Sequence, residues 1–350
     1  MTVELPPLPH EVKVDPSDDV EEVGRRLAAL GVSDGHPVIP PTPMRVEAML
    51  AGREPAEPLG SIAPLRREVT MEDVAVCAVM AGCPPAAIPV LTSAVRAVQE
   101  ERFNLLGVTT TTGSAGIGVV LHGAVVDDLG ANAGGNCLGP GNVANATIGR
   151  ALATIVRVVG CALPGAVDMA ICGQPAKYGL CFGELPGRDG WPALHEERGL
   201  SSSPGAVTVM GVAGTIEVVD VTSHDVTDLL DTLAASLLLP VGTGSDGSTL
   251  GSGEPVAIMP PEWITRLADE GWTKDAVRHH LWERAHVSLD LLAPGLAARA
   301  DQAAVEVGLL RVAKNPDDIT ILVAGGPGTK ATLLPLWPGG SASVTVAVDS

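Results

Sequence analysis

Gly113-Ser-Ala-Gly-Ile-Gly-Val-Val-Leu121 and Gly251-Ser-Gly-Glu-Pro-Val-Ala-Ile258 are the two stretches from which the fold is read. Each is a Gly-Ser loop that runs into a short apolar strand. A helical run precedes each of them, Pro85–Val98 before the first and Val226–Leu239 before the second. After each comes a helix that ends at a glycine, Gly130 or Gly271, and then a further helix. Ser114 stands opposite Ser252 in this alignment. Internal similarity on this scale bears on the whole fold. It predicts a mixed α/β (α+β) protein of two weakly repeated α/β halves with a pseudo-twofold relation. The site is then expected between the halves, where two Gly-rich loops converge.

Working outward, residues 1–19 read as an extended arm and 20–165 as the first half. Residues 166–204 read as a connecting, functional segment and 205–350 as the second half. Helical periodicity or capping marks 19–30, 44–50, 72–81, 124–129, 142–159, a helix starting at Pro260, and 274–287. Strands are expected at 119–121, 206–212, 216–221, 256–259 and 318–323. Between Asp34 and Pro43 the prolines impose an extended loop, because proline fixes its own φ and restricts its predecessor.

Composition narrows the function. The 350 residues are 46% apolar, enough for a large core, but only 2% aromatic, so that core is aliphatic. A net charge of −19 argues against nucleic acid or an anionic membrane as partner. No apolar run reaches the ~18 residues of a membrane span, and the acidic, proline-rich start does not read as a signal peptide. The six cysteines include no CxxC pair and do not form a disulfide framework. A soluble cytoplasmic protein is expected, with no bound metal or cofactor and with homo-oligomerisation left open.

Two segments carry candidate chemistry. Gly130 to Gly149 holds six glycines, four asparagines and Cys137, and opens a helix near Asn142. Backbone amides at a helix start suit an anion and favour a thiolate. Asn136, Gly139, Gly141, Asn142 and Asn145, with Ser114, are therefore candidates for binding an anionic substrate, and Cys137 for a nucleophile. The same loop also reads as a C-cap, a turn and an N-cap in succession, with Cys137 an inert buried thiol. Gly173 to Arg198 concentrates Lys177, Tyr178, Cys181, Glu184, Trp191, His195 and Arg198 in a chain poor in aromatics. Cys181 with His195 offers a nucleophile and a base, Glu184 and Tyr178 offer acid–base groups, and Lys177 and Arg198 suit a carboxylate. The alternative is a surface crossover pinned by Trp191 and Tyr178. Cys83, ahead of a helix, and the Gly325–Lys330 loop are weaker signals. His279, His280 and His286 read as a solvated helix face with Arg278.

Several stretches together resemble a known family. They are Asp34-Gly-His-Pro-Val-Ile-Pro-Pro-Thr42, Ala78-Val-Met-Ala-Gly-Cys83, Leu138 to Arg150, Gly173-Gln-Pro-Ala-Lys-Tyr178, the Trp191 to His195 turn and Glu270-Gly-Trp-Thr-Lys-Asp275. The chain resembles, over about residues 20–340, a bacterial family of largely uncharacterised proteins, some associated with a small selenoprotein domain of the UGSC type. The Cys/Sec-Gly-Ser-Cys motif is missing here, so selenium or dithiol chemistry does not follow, and no catalytic residue is carried over. The resemblance implies a coherent folded unit with a site.

No dinucleotide fingerprint or P-loop spacing occurs. The functional expectation is a lyase or hydrolase that acts on a small anionic or carbonyl-bearing metabolite by acid–base or thiolate chemistry. The alternative is a non-catalytic binding or partner subunit that presents a substrate or sulfur to another enzyme.

Overall fold

The computed structural model describes residues 5–203, 205–239, 254–335, 337 and 339–349. The expected Gly/Ser loop 241–253, with Ser252, lies outside the described residues. The first elements are α1 (Val20–Ala29), α2 (Pro43–Leu50), β1 (Pro58–Ile62), β2 (Arg67–Thr70), α3 (Met71–Ala81), α4 (Ile88–Gln99) and α5 (Leu105–Thr110). There follow β3 (Gly116–Gly123), α6 (Ala124–Asp128), α7 (Val143–Val158), β4 (Leu180–Gly183), α8 (Leu194–Glu197) and β5 (Gly205–Val212). The chain continues through β6 (Ile216–Val219), α9 (Val226–Ser236), β7 (Val256–Met259), α10 (Pro261–Asp269) and α11 (Lys274–Arg284). It closes with β8 (His286–Ser288), α12 (Pro294–Ala297), α13 (Gln302–Val307), β9 (Leu309–Arg311), β10 (Thr320–Val323), β11 (Lys330–Leu334) and β12 (Val344–Ala347).

Two four-stranded sheets organise these elements, ordered β4-β3-β5-β12 and β10-β7-β11-β6. In the first, β3 runs parallel to β4 and antiparallel to β5, which is antiparallel to β12. In the second, β7 runs parallel to β10 and antiparallel to β11, which is antiparallel to β6. The two sheets share a strand order, β4-β3-β5 and β10-β7-β11, each with one further edge strand, but α5 and α8 intervene in the first and β8, α12, α13 and β9 in the second.

Alternation along the strands shows how the sheets stack. Val119 and Leu121 of β3 face a core built with α3, α4 and α7, whereas Val120 faces the other way. In β10, Ile321 and Val323 face a core with α9, α10 and α11, whereas Leu322 faces away. Val120, Phe182, Met210 and Val212 of the first sheet meet Val256, Ile258, Leu322 and Leu334 of the second in one apolar cluster. The result is a helix–sheet–sheet–helix stack. Strands buried on both faces are nearly continuous apolar runs; every residue of β5 is buried, and Thr208 is its one polar side chain.

The helices are started and stopped by local chemistry. Thr70 and Asp73 form a capping box for α3, and Gly82 in the left-handed region ends it. Asn142 caps α7 by accepting the Asn145 amide. Where α7 crosses β4 there is no room for side chains. A Cβ at Gly149 would stand 2.7 Å from the Leu180 nitrogen, and one at Gly179 would stand 2.4 Å from the Arg150 nitrogen.

The mixed α/β class is as expected, while sheet membership departs from the expected boundary at residue 205. β5 lies beyond it yet pairs along its whole length with β3, and β12 returns to the first sheet. The expected helix 274–287 stops at Arg284, because His286–Ser288 pairs with β9. β4 lies inside the segment expected to lack regular structure. No helix among the described residues is long and apolar enough to cross a membrane.

Candidate functional site

A row of polar side chains crosses the inner face of the first sheet at one end. His122 lies near the end of β3 and is wholly buried, as is Thr208 on β5; Glu184 directly follows β4 and is 3% exposed. His122 Nδ1 lies 2.7 Å from Glu184 Oε2, and His122 Nε2 lies 2.7 Å from Thr208 Oγ1. Thr208 lies 2.7 Å from Thr345 of β12, whose hydroxyl accepts Arg198 Nη1 at 2.7 Å. Arg198 also donates to Ser343 at 2.7 Å, and Ser343 donates on to Glu254. The row follows the strand order of the sheet.

One ordering of donors satisfies the row between its two charged ends. Arg198 donates to Thr345, Thr345 to Thr208, Thr208 to His122 Nε2, and His122 Nδ1–H to Glu184. The Leu194 amide donates to the same Glu184 oxygen at 2.9 Å. Glu184 Oε1 is buried with no partner. Burial by itself would raise the Glu184 carboxyl, but the His122 hydrogen bond, with the Lys274 charge and the Leu194 amide, holds it below the usual range.

His195 of α8 completes the centre. Its ring stacks on that of His122, with centroids 5.5 Å apart and planes inclined by 26°. Its Nδ1 is buried without a partner. Burial, with His122 alongside, pulls this imidazole below its usual value. α8 is only four residues long and is clamped from the second half of the chain. Lys274 Nζ donates to Pro192 O at 2.8 Å and to Glu197 at 2.7 Å, Arg278 reaches Glu197 at 2.8 Å, and Trp191 Nε1 donates to Trp272 O at 3.0 Å. Arg278 is therefore buried, not on a solvated face, and His280 bonds Asp231 at 2.9 Å.

The Gly130–Gly149 loop lies beside this centre. Gly183 N donates to Asn132 O, and Gly325 N donates to Ala133 O at 2.8 Å, so the loop meets the Gly325–Lys330 turn of the second sheet. Its asparagine side chains serve the loop itself. Asn132 bonds Gly135 O, Asn136 bonds Pro140 O, Asn142 bonds Gly130 O, and Asn145 bonds the carbonyls of Asn132 and Cys137. A Cβ at Gly139 would collide with the Asn136 side chain, so that pair too is an internal fit; Gly141 has a φ of 114°, which favours glycine.

The remaining expected residues are dispersed. Cys181 lies wholly inside the first half, and burial pushes its thiol far above the usual value. Burial also raises Cys137, only partly offset by its own amide and those of Gly325 and Leu138. Burial thus works against the activated thiolate expected at these two positions. Lys177 and Tyr178 lie at the opposite end of the sheet, in a cavity of about 360 Å³ that also takes in Ala115, Gly116, Arg157, Asp168 and Cys172. Lys177 is paired with Asp168 at 2.8 Å, and Ser114 precedes β3 at that same end. The 173–198 segment is thus split by β4, and only Glu184, His195 and Arg198 join the buried centre.

His122 and Thr208 were missed in the sequence, where the histidines look scattered. The available signal was a polar residue inside an otherwise apolar, doubly buried strand. The donor set His122, Glu184 and His195 is also able to hold a metal ion, which the search for spaced motifs did not find. The chain matches no family model, no curated protein and no solved structure. The family resemblance therefore rests on its motifs alone.

Proposed function

We propose that the protein is an enzyme of lyase or hydrolase type that acts on a small anionic or carbonyl-bearing metabolite at the His122–Glu184–His195 centre. The observation that carries this reading is that, of five buried side-chain polar atoms without partners among the described residues, two, Glu184 Oε1 and His195 Nδ1, fall in one centre, while those of Ser93, Arg157 and Trp263 lie singly elsewhere. A natural core satisfies such atoms, and leaving one unpaired costs about 1–3 kcal/mol. A centre that keeps two of them beside a fully ordered relay is built for a reacting partner. Glu184 and His195 exchange protons with the substrate, while His122, Thr208 and Thr345 hold Glu184 in place. The thiolate alternative loses its support with the burial of Cys137 and Cys181. All six cysteines are free, which supports a reducing, cytoplasmic setting. The matching strand orders support reading the two halves as copies of one unit related by a pseudo-twofold axis.

The test is a turnover screen of small carboxylates, amides and carbonyl compounds, followed by mass spectrometry. Glu184→Gln and His195→Asn are expected to slow any turnover by about 100-fold or more while keeping the wild-type fold by circular dichroism. Wild-type rates in both variants would remove the centre from the reaction.

A further inference from the structure

The same centre has the composition of a metal site. One ring nitrogen each from His122 and His195 and one oxygen of Glu184 lie within 4.8 Å of one another, and all three residues are buried. Glu184 Oε1 needs a donor or cation, and His195 Nδ1 has no partner at all. A cation that accepts the lone pair of an imidazole and the charge of a carboxylate satisfies both.

We infer that His122, Glu184 and His195 bind one divalent transition-metal ion. The inference rests on the proposed centre in that it uses the same three side chains. Two imidazoles and one carboxylate form the ligand set of open zinc sites and of non-haem iron sites. The outer contacts are of the kind that ligating groups require. His122 Nε2 has Thr208 at 2.7 Å, and Glu184 Oε2 has the Leu194 amide at 2.9 Å. To bind through Nδ1, His122 must carry its proton on Nε2 and donate to Thr208. The two threonine hydroxyls permit this, because each can give or accept: Thr208 then donates to Thr345, whose oxygen accepts from both Thr208 and Arg198.

The geometry is within reach. Ligand atoms on a tetrahedral zinc with bonds of about 2.0–2.1 Å stand about 3.3 Å apart. His195 sits on a four-residue helix clamped at Trp191, Pro192 and Glu197, so closing-in is a movement of its side chain, whose Nδ1 has no partner. The net charge of −19 raises the local concentration of cations. Three protein ligands leave a fourth position for water or a substrate carbonyl oxygen. With an ion bound, His122, Glu184 and His195 would hold it, and the ion would supply a Lewis acid for a substrate oxygen or an acidified water.

Zinc binding to the chelator-stripped full chain tests this, read by competition with a chromophoric chelator and by metal analysis after desalting. The visible spectrum with cobalt reports the coordination. One zinc per chain is expected, with a four-coordinate cobalt spectrum. His195→Ala and Glu184→Gln should weaken zinc binding by more than about 100-fold, and Thr208→Val by about 10–100-fold. Metal-free melting curves keep loss of fold apart from loss of a ligand. Cys172→Ser should leave zinc affinity unchanged, since this exposed thiol lies in the other cavity. A wild-type chain that retains no zinc overturns the inference. So do His195→Ala and Thr208→Val proteins that bind zinc as the wild type does. Zinc bound without any turnover leaves the inference standing and removes the proposed function; turnover by a chain that takes up no zinc does the reverse.

Discussion

At the end of its parallel pair the first sheet carries His122 and Glu184, whereas at the matching place the second carries Pro260 and Ala324. The registers make the match explicit, Leu121 opposite Gly183 in one sheet and Met259 opposite Val323 in the other. Two parallel pairs of like register thus end in a titratable pair in one sheet and in residues without titratable groups in the other. The buried carboxylates differ in the same sense. Asp220, just after β6, accepts the Thr222 and Ser223 amides on one oxygen and the Ser223 and Thr232 hydroxyls on the other. Glu184 has one oxygen doubly bonded and the other bare. A saturated carboxylate stabilises a turn, whereas an unsaturated one in the same protein is available for a ligand. The second half contributes support, through Lys274, Arg278 and the Gly325–Lys330 turn, while His122, Glu184 and His195 come from the first sheet and the segment that follows it.

The largest expected effect is on stability. His122→Leu leaves the Glu184 charge buried without its partner, which should cost about 3–5 kcal/mol. Met259→Leu, in the other sheet, preserves volume and should cost less than about 1.5 kcal/mol. Urea unfolding of the two variants measures the difference, and equal losses would break the comparison.

A smaller effect tests the register. Gly183 occupies the place that Val323 occupies in the second sheet, but a Cβ on it would stand 2.9 Å from Val126 Cγ1 and 3.1 Å from Ala133 Cβ. Gly183→Val should cost about 1–3 kcal/mol through overpacking, seen as a lowered melting temperature. A neutral result would mean that the halves are interchangeable there.

Acid titration should sharpen the contrast between the carboxylates. Burial works against ionised Asp220, but its hydroxyl and amide donors bring its pKa down to about 2. A depressed carboxylate gives stability that is complete above its unfolded value, near ~3.9, and is lost as the pH falls through the folded one. Between about pH 4 and pH 2 the wild type should therefore lose stability that Asp220→Asn does not. Parallel acid limbs in denaturant midpoints would show that Asp220 is not the group responsible.

The smallest effect concerns the thiols. Cys172 is exposed and the other five cysteines are buried. Iodoacetamide should label Cys172 alone in the native chain and all six after unfolding, as read by peptide mass mapping. Native labelling of Cys137 or Cys181 would return a thiol to consideration.

How much of this was legible follows from where each signal lies. α7 could be read because Asn142 caps it and Ile148, Leu152 and Ile155 recur on one buried face. β5 could be read as a strand from its continuous apolar run, but its partner could not, since pairing depends on chain reversal rather than on local pattern. β4 has four residues inside a glycine-rich, polar stretch, too few for any period to register. Glu184 and His195 stood out by residue type. His122 and Thr208 did not, since 62 residues separate His122 from Glu184 and 86 separate it from Thr208. The asparagines of the 130–149 loop announced unusual backbone correctly. Composition does not say whether an amide side chain turns to a ligand or to its own loop, and these turn inward.

The placement of β12 has a consequence for how the molecule comes into being. Thr208 and Thr345 touch although 137 positions apart in the sequence, with all four strands of the second sheet between them. Contacts of such long range form late. During synthesis the first sheet waits with an open edge while β6 to β11 emerge, and only then does Thr345 arrive to orient the relay behind His122. The row that ends at His122 and Glu184 is therefore completed only by the last strand of the chain.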